Sequence, residues 1–401
     1  MKKIPMFLLM FNNFTVLLGV GIIIPVLPEI LNYFQASGTT AGLLVAAFGL
    51  TQLLFSPLGG RWSDRYGRKP LIIAGLILNA LSHFLFAVAD HLSLLFISRL
   101  IGGVGLGLTV PAITAYVADV TDREQRGKGM GWIGASVSLG IAIGPGIGGL
   151  LADISIRAPY YAAALLNVLA FLVSRILLPE TRKKQTIEKS EQQVRGIKNT
   201  LLQPFYYSTS SGLLMLLLLN FILAFGLMSF ETIFPLFSDH RYGFSTKQIA
   251  IIVTAGAILG VITQSLLLNK LSIFFGEVRL INITLSLAAF TLVLMLFWGS
   301  FTIILILSML FFTFQSLLRP LLSTLLSKRA SEEEQGYVAG LGNTYMSVGN
   351  VLGPITAGLL FDVQNGLPYI FGAIILILGM VCFALSENRM EPHFKYLKEE
   401  K

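Results

Sequence analysis

Three charged residues, Arg99, Glu231 and Arg319, fall well inside long apolar stretches of this 401-residue chain, and Glu231 is the only acid placed so deeply. A carboxyl surrounded by hydrocarbon favours its neutral form, so it can hold a proton near neutral pH and release it when a cation or water arrives. A single carboxylate for which a proton and a cationic solute compete is the minimum device for exchanging one against the other. Its setting, SFETIFPLF at 229–237, brings Phe230, Phe234 and Phe237, whose rings can take flat or cationic ligands. The other reading is that an arginine, with Arg319 the candidate, holds Glu231 permanently. No metal-ligand spacing, phosphate-binding glycine loop, Walker sequence or nucleophile with a sequence partner is present. Enzymatic chemistry, a metal site and an ATP-driven cycle are therefore not expected, and no cofactor is required beyond a proton gradient.

The elements that must position these residues are membrane helices. Hydrophobic residues make up 54% of the chain and charged residues 12%, with mean hydropathy +0.76. A water-soluble core cannot hide that much apolar surface. Charges cluster between apolar stretches of about 20 residues, each long enough for a helix to cross about 30 Å of hydrocarbon. Twelve such stretches are predicted, at 5–28, 39–60, 71–89, 92–117, 127–152, 158–178, 209–237, 246–269, 280–298, 301–327, 335–360 and 367–386. The first follows two lysines like a signal peptide, but IIIPVLPEI replaces a small-residue cleavage site, so it reads as a retained helix. Cys382 is the single cysteine, which excludes an internal disulfide.

Lys and Arg in short loops stay cytoplasmic. On one side of the predicted topology lie only Arg157, Arg241 and Lys247; apart from Arg99 and Arg319, the rest of the 29 basic residues lie on the other. Both termini and the polar segment between the sixth and seventh stretches are thus expected in the cytoplasm of a cell whose cytoplasmic membrane holds the protein. The net charge of +8 follows from this asymmetry and calls for no nucleic-acid partner. The domain reading is an N-terminal six-helix bundle over 1–178, a cytoplasmic linker over 179–208, a C-terminal bundle over 209–387 and a tail over 388–401. The linker is either an amphipathic surface helix with Ile197, Leu201 and Leu202 inward, or a solvated tether.

The two bundles are one unit written twice. Ser138 to Asp153, SLGIAIGPGIGGLLAD, returns as Ser347 to Asp362, SVGNVLGPITAGLLFD, with identical Ser, Gly, Gly-Pro, Gly-Leu-Leu and Asp positions at an offset that also carries Pro111 onto Pro320 and Tyr160 onto Tyr369. A duplicated helix-rich membrane chain is the signature of a secondary transporter, with its substrate between two repeats that rock against each other.

Local patterns narrow the class. GGRWSDRYGRKP at 59–70 resembles motif A of the major facilitator superfamily: Gly60 and Gly67 permit a tight turn, Asp64 can accept from a helix N-terminus, and Arg65, Arg68 and Lys69 can pair with acids or lipid phosphate. Asp119 is a candidate partner for Arg65. The resemblance implies a conformational latch in which Asp64 faces the start of the eleventh span, near Gln335 to Gly340; the second copy, NKLSIFFGEVR, keeps Gly276 but lacks that acid. SRLIGGVGLG at 98–107 resembles motif B and places Arg99 in the fourth span, at an insertion cost of about 2.5–3.5 kcal/mol. The residue either couples protons, as the resemblance implies, or bonds polar groups of the first helix such as Asn12 or Asn13. GIAIGPGIGG at 140–149 resembles antiporter motif C, in which Gly140, Gly144, Pro145, Gly148 and Gly149 break helical bonding and let a neighbour pack close.

Together with LGVGIIIPVLP, GLLVAAFGLTQ, FGLMSFET and RPLLSTLLS, these motifs are similar, nearly end to end, to the NorA/Bmr-type multidrug antiporters of Gram-positive bacteria. The resemblance implies an all-α major facilitator fold of twelve transmembrane helices in two pseudo-symmetric bundles. It also implies a monomeric, membrane-embedded pump that expels cationic and zwitterionic amphiphiles, including fluoroquinolones, dyes and quaternary ammoniums, in exchange for protons. A proton-coupled exporter of an endogenous metabolite or lipid is the alternative. The chain departs from these relatives in the tenth span, where Ser316, beside Gln315, stands in place of an acid three residues before Arg319, so proton coupling rests more heavily on Glu231. Gln52 and Ser138 match positions that border the drug cavity of the relatives. Phe48 and Met228 suit an adaptable apolar wall, and Asn343 and Tyr345 complete the candidate substrate groups with Gln315 and Ser316. Asn220 and Gln264 rank lower, His83 reads as a packed helix residue, and Glu29 as a hydrated group at the outer mouth.

Overall fold

The computed structural model describes residues 3–122, 124–181, 213–331 and 334–399. Thirteen helices form the fold among them: α1 Lys3–Tyr33, α2 Gly38–Tyr66, α3 Arg68–Ala87, α4 Leu92–Val120, α5 Arg126–Ala152, α6 Ala158–Leu177, α7 Leu214–Tyr242, α8 Thr246–Leu266, α9 Leu268–Phe275, α10 Glu277–Leu294, α11 Phe301–Arg329, α12 Gln335–Val363 and α13 Leu367–Glu399. All but the short α9 contain a stretch long and apolar enough to cross a membrane, giving twelve candidate spans. The protein is a multi-pass, all-α membrane protein. The linker readings concern residues 179–208, of which 182–208 lie outside the described residues.

Most helices outrun the predicted stretches. The motif at 59–70, expected as an interhelical loop, is helical through Tyr66; Gly67 alone turns the chain, and α3 begins at Arg68. Gly67 has φ +109° and Gly276, its repeat equivalent, φ +76°, a region in which a Cβ is strained. Elsewhere the helices begin on polar caps: the Ser37 hydroxyl accepts from Thr40 N, and Ser245 and Gln248 form a reciprocal capping box on α8.

Packing repeats as the sequence does. In the first half α1 lies on α5 and α6, α2 on α4, and α3 on α4 and α6; in the second, α7 lies on α12 and α13, α8 on α11, and α10 on α11 and α13. The halves meet mainly along two seams, α2 on α12 and α5 on α8, which a two-fold exchange of the repeats interconverts.

Those seams close at one end only. One face of the protein carries residues 179–181 and the Gly67 turn; we term it the linker face and its opposite the far face. Toward the far face, a Cβ on Gly42 would lie 2.2 Å from Pro354 O, one on Gly358 2.4 Å from Gly38 O, and one on Gly149 2.3 Å from Ala250 Cβ. Toward the linker face, Gly127, Gly131 and Gly134 of α5 and Gly336 and Gly340 of α12 meet nothing within 4 Å. The apolar core follows the same division. Far-face residues of the first half, Val26, Leu27, Ile30 and Leu44, join one cluster with Leu236, Phe237 and Phe361, whereas Met6, Leu9, Ile72 and Tyr116 form a cluster confined to the first half. The halves are parted on the linker face and packed together on the far face.

Candidate functional site

Glu231 sits near the middle of α7, about 25 Å along a helix of about 42 Å at 1.5 Å per residue. It is partly accessible and has no hydrogen bond or ion pair among the described residues. Arg319 on α11 is exposed and likewise unpaired among them, so the permanent Glu231–Arg319 pair does not form. Phe230 and Phe234 are not the ligand-facing rings their proximity in sequence suggested. They are 4% and 1% exposed, stack on each other at 4.9 Å, and Phe230 lies 4.3 Å from Phe311 in the core of the second half. Phe237, 1% exposed, packs on Tyr369 at 4.4 Å. A helix turns each successive residue by about 100°, which carries residue 230 off the face that residue 231 presents.

Arg99 is 6% exposed, and its Nε has no hydrogen-bond partner among the described residues. Its guanidinium lies over the Phe86 ring at 4.9 Å and near the Phe48 ring at 5.9 Å, so aromatic faces rather than a carboxylate hold this cation. Asn12 instead exchanges hydrogen bonds with Ser174 at 2.8 and 3.0 Å, and Asn13 Oδ1 has no partner among the described residues, so neither amide engages Arg99. Phe48 therefore belongs to the packing between α2 and α4, with part of its ring accessible. His83, 5% exposed, is packed against Gly19 of α1.

The polar candidates divide between the seams and the interiors of the bundles. Ser138 continues the stripe Gly127, Gly131 and Gly134 of α5, and Asn343 continues Gly336 and Gly340 of α12, so both lie where the halves part. Asn343 is exposed; Ser138, Gln52 and Tyr345 are partly buried. Ser316 points elsewhere: its hydroxyl donates to Thr313 O at 2.8 Å, and its Cβ faces Gly260 of α8, where Gly260 carries no side chain to keep it away. Gln315 is 4% exposed, faces Gly226 of α7, and leaves both amide atoms without partners among the described residues.

In the motif at 59–70 the central cation is Arg68 rather than Arg65. Arg68 pairs with Asp64 and, through Nε, with Asp119 at 3.0 Å, and Asp119 also accepts from the Thr181 hydroxyl at 2.9 Å. Glu180 accepts from the first amides of α3, Arg68 N at 3.0 Å and Lys69 N at 3.1 Å; a Cβ on Gly67 would sit 2.6 Å from its Oε2. Asp64 is 70% exposed and is not seated on the start of α12, because the halves are apart at that face. Sequence reading missed the counterpart of this network. Lys328 Nζ donates to Glu277 at 2.7 Å, and these residues are the repeat equivalents of Asp119 and Arg68, so the second half makes the same ion pair with its charges exchanged. Applying the repeat offset to the charged positions was the available signal. The cross-seam bond from Thr246 to Glu29, read in sequence as a hydrated acid, was also missed.

The glycines at 140–149 do what their spacing allows. Cβ atoms on Gly140, Gly144 and Gly148 would fall 2.7, 2.8 and 2.4 Å from the carbonyls of Phe14, Leu18 and Ile22 on α1, while Gly149 faces α8. Pro145 packs beside Gly21, and in the second repeat Gly349 and Gly353 approach α7 in the same manner.

The sequence pattern described as Major Facilitator Superfamily matches residues 9–273 and 263–401. The chain belongs to this superfamily. Among its relatives, Multidrug resistance protein 1 of Bacillus subtilis (strain 168) is 39% identical over 94% of this chain and 95% of its own length. The quinolone resistance protein NorA of Staphylococcus aureus is 36% identical over 98% of both chains. Solved superfamily structures share the fold at low identity: the nucleoside transporter NupG aligns with TM-score 0.77 at 14% identity over 96% of this chain and 99% of its own. A bacterial homologue of the human lysosomal transporter Spinster, in an inward-facing and occupied conformation, aligns with TM-score 0.77 at 15% over 96% and 97%. These facilitator-type relatives are transporters, and twelve spans with a two-fold seam belong to that architecture.

Proposed function

We propose that this protein is a proton-coupled multidrug efflux pump of the cytoplasmic membrane, a monomer with its linker face in the cytoplasm. The observation that carries the proposal is Glu231, a mid-membrane carboxyl without a partner among the described residues, in a chain whose relatives over nearly full length are named for multidrug and quinolone resistance. Topology supports the orientation, since basic residues concentrate on the linker face. With the halves parted there, amphiphilic cations or zwitterions enter from the cytoplasm or inner leaflet. Ser138 and Asn343 offer polar contacts in the parted region, and Gln52 of α2 is the further polar candidate.

In this cycle a cationic amphiphile displaces the proton of Glu231 to the cytoplasm. After the seams exchange, a proton from outside displaces the drug, and the protonated carboxyl, now neutral, returns through the membrane interior at low desolvation cost. Arg99 and Arg319, both free of anionic partners among the described residues, are the fixed cations that keep further cations out of the emptied site. The proton gradient is the sole energy input; no cofactor and no nucleic acid takes part.

Reconstituted wild type and Glu231→Gln, followed with ethidium or norfloxacin under an imposed pH gradient, test the reading. Wild type is expected to move drug against the proton, and the variant to bind drug without responding to the gradient. A variant that pumps like wild type would sink the assignment of Glu231.

A further inference from the structure

Each copy of the repeated block ends on an acid, Asp153 in the first half and Asp362 in the second, and the two copies use that acid differently. Asp362 stands in the last turn of α12 and reaches across the seam to the first turn of α2. Its Oδ1 accepts from Gly38 N at 2.7 Å, and its Oδ2 from Thr39 N at 2.9 Å and the Thr39 hydroxyl at 2.5 Å. The opening amides of a helix have no partner within it and concentrate its positive end, so a carboxylate there is doubly favoured. Ser37 serves only the third amide, that of Thr40, at 3.3 Å. The N-terminus of α2 is therefore completed by a residue of the opposite half.

At the symmetry-related seam the same position is nearly idle. Helix α8 closes its own first turn with the Ser245–Gln248 box, and among the described residues Asp153 meets only Lys247 Nζ at 3.8 Å, with both side chains more than half exposed. Below Asp362, backbone contact leaves no slack: the Cβ position of Gly358 is 2.4 Å from Gly38 O, and that of Gly38 is 2.6 Å from a Phe361 ring carbon. Side-chain length cannot absorb a movement of α2 away from α12. Parting the far face by even one or two ångströms breaks all three bonds to Asp362 and returns two helix amides to water.

We propose that Asp362 is the clasp of the far face: a positioning residue that holds the seam closed while the linker face is open, and whose release from Gly38 and Thr39 accompanies opening of the far face. Among the described residues the α5–α8 side is crossed by the single Thr246–Glu29 hydrogen bond from α8 to α1, whereas Asp362 gives the α2–α12 seam three bonds, two of them from backbone amides. This inference assumes the alternating cycle of the proposed function but not its drug or its proton.

The test is a distance measurement on the full chain in lipid nanodiscs, without drug or pH gradient, so its outcome is independent of the Glu231 assignment. With Cys382→Ser as background, spin labels at His91→Cys and Phe297→Cys, which lie in far-face connections of opposite halves, report far-face separation by pulsed electron resonance. Asp362→Asn keeps one acceptor oxygen but loses the charge and the second acceptor, and is expected to raise the ratio of far-face-open to far-face-closed molecules about tenfold, the equivalent of one charge-assisted hydrogen bond. Thr39→Val, which removes one donor at the exposed mouth, shifts it the same way by about threefold. Asp153→Asn leaves it within about twofold. Distance distributions for Asp362→Asn and Thr39→Val that superimpose on wild type, or an equal shift from Asp153→Asn, overturn the proposal. Should Asp362→Asn not fold, the Thr39→Val comparison decides alone.

Discussion

At the scale of single residues, the structure separates positions that hold the fold from positions that face the parted region, even where sequence places them side by side. Phe230 and Glu231 are neighbours, yet one is core and the other accessible. Truncating Phe230 should therefore act on stability: Phe230→Ala is expected to cost about 3–5 kcal/mol, read as a lower temperature for loss of monodisperse protein, without reordering the preference among drugs in the protein that remains folded. A changed drug ranking at unchanged stability would return Phe230 to the binding surface. Glycines divide in the same way. Gly144→Val drives a branched side chain into the Leu18 carbonyl, whose oxygen lies 2.8 Å from the Cβ position, and should destabilise by about 1–3 kcal/mol. Gly131→Val, with nothing within 4 Å, should be nearly silent in the same heating assay. The depth of Glu231, Arg99 and Arg319 was legible from hydropathy alone. Their partners were not, because hydropathy carries no azimuth between helices, and it was the stacking of Arg99 on Phe86 that settled which neighbour it keeps.

At the scale of elements, what was readable and what was hidden both come from the duplication. The twelve spans, the packing glycines of α5 and the turn at Gly67 stand out because composition and glycine spacing announce them. The ion pair Glu277–Lys328 stayed hidden because the repeat preserved its geometry while exchanging its signs, which a search for identical residues passes over. Equivalence of the two pairs is testable by charge reversal. Glu277→Arg places like charges together and should lower stability by about 1 kcal/mol. Adding Lys328→Glu gives the second half the polarity of the first and should recover most of that loss, a coupling that thermal unfolding of the four proteins of the cycle measures. Additive losses would mean that the two pairs are alike only in position.

At the scale of the whole molecule, the opening of one face and closure of the other could not have been read from sequence, since both arrangements of an alternating carrier share it. The glycine stripes of α5 and α12 now give the distinction a chemical readout. On a Cys382→Ser background, Gly49→Cys with Val351→Cys should cross-link readily with a short reagent, because the Gly49 Cβ position lies 3.5 Å from the Val351 side chain. Gly131→Cys with Gly340→Cys should not, until conditions favour closure of the linker face. Reversal of that pattern in resting protein would mean that the opposite conformer dominates in lipid. The Asp362 contact also bears on how the protein is made. Gly38 leaves the ribosome 324 residues ahead of the acid that completes its helix. For most of synthesis the first bundle waits in the membrane with that helix end exposed to water, and docking of the second bundle finishes it, so the join between bundles is also the last step in building the first.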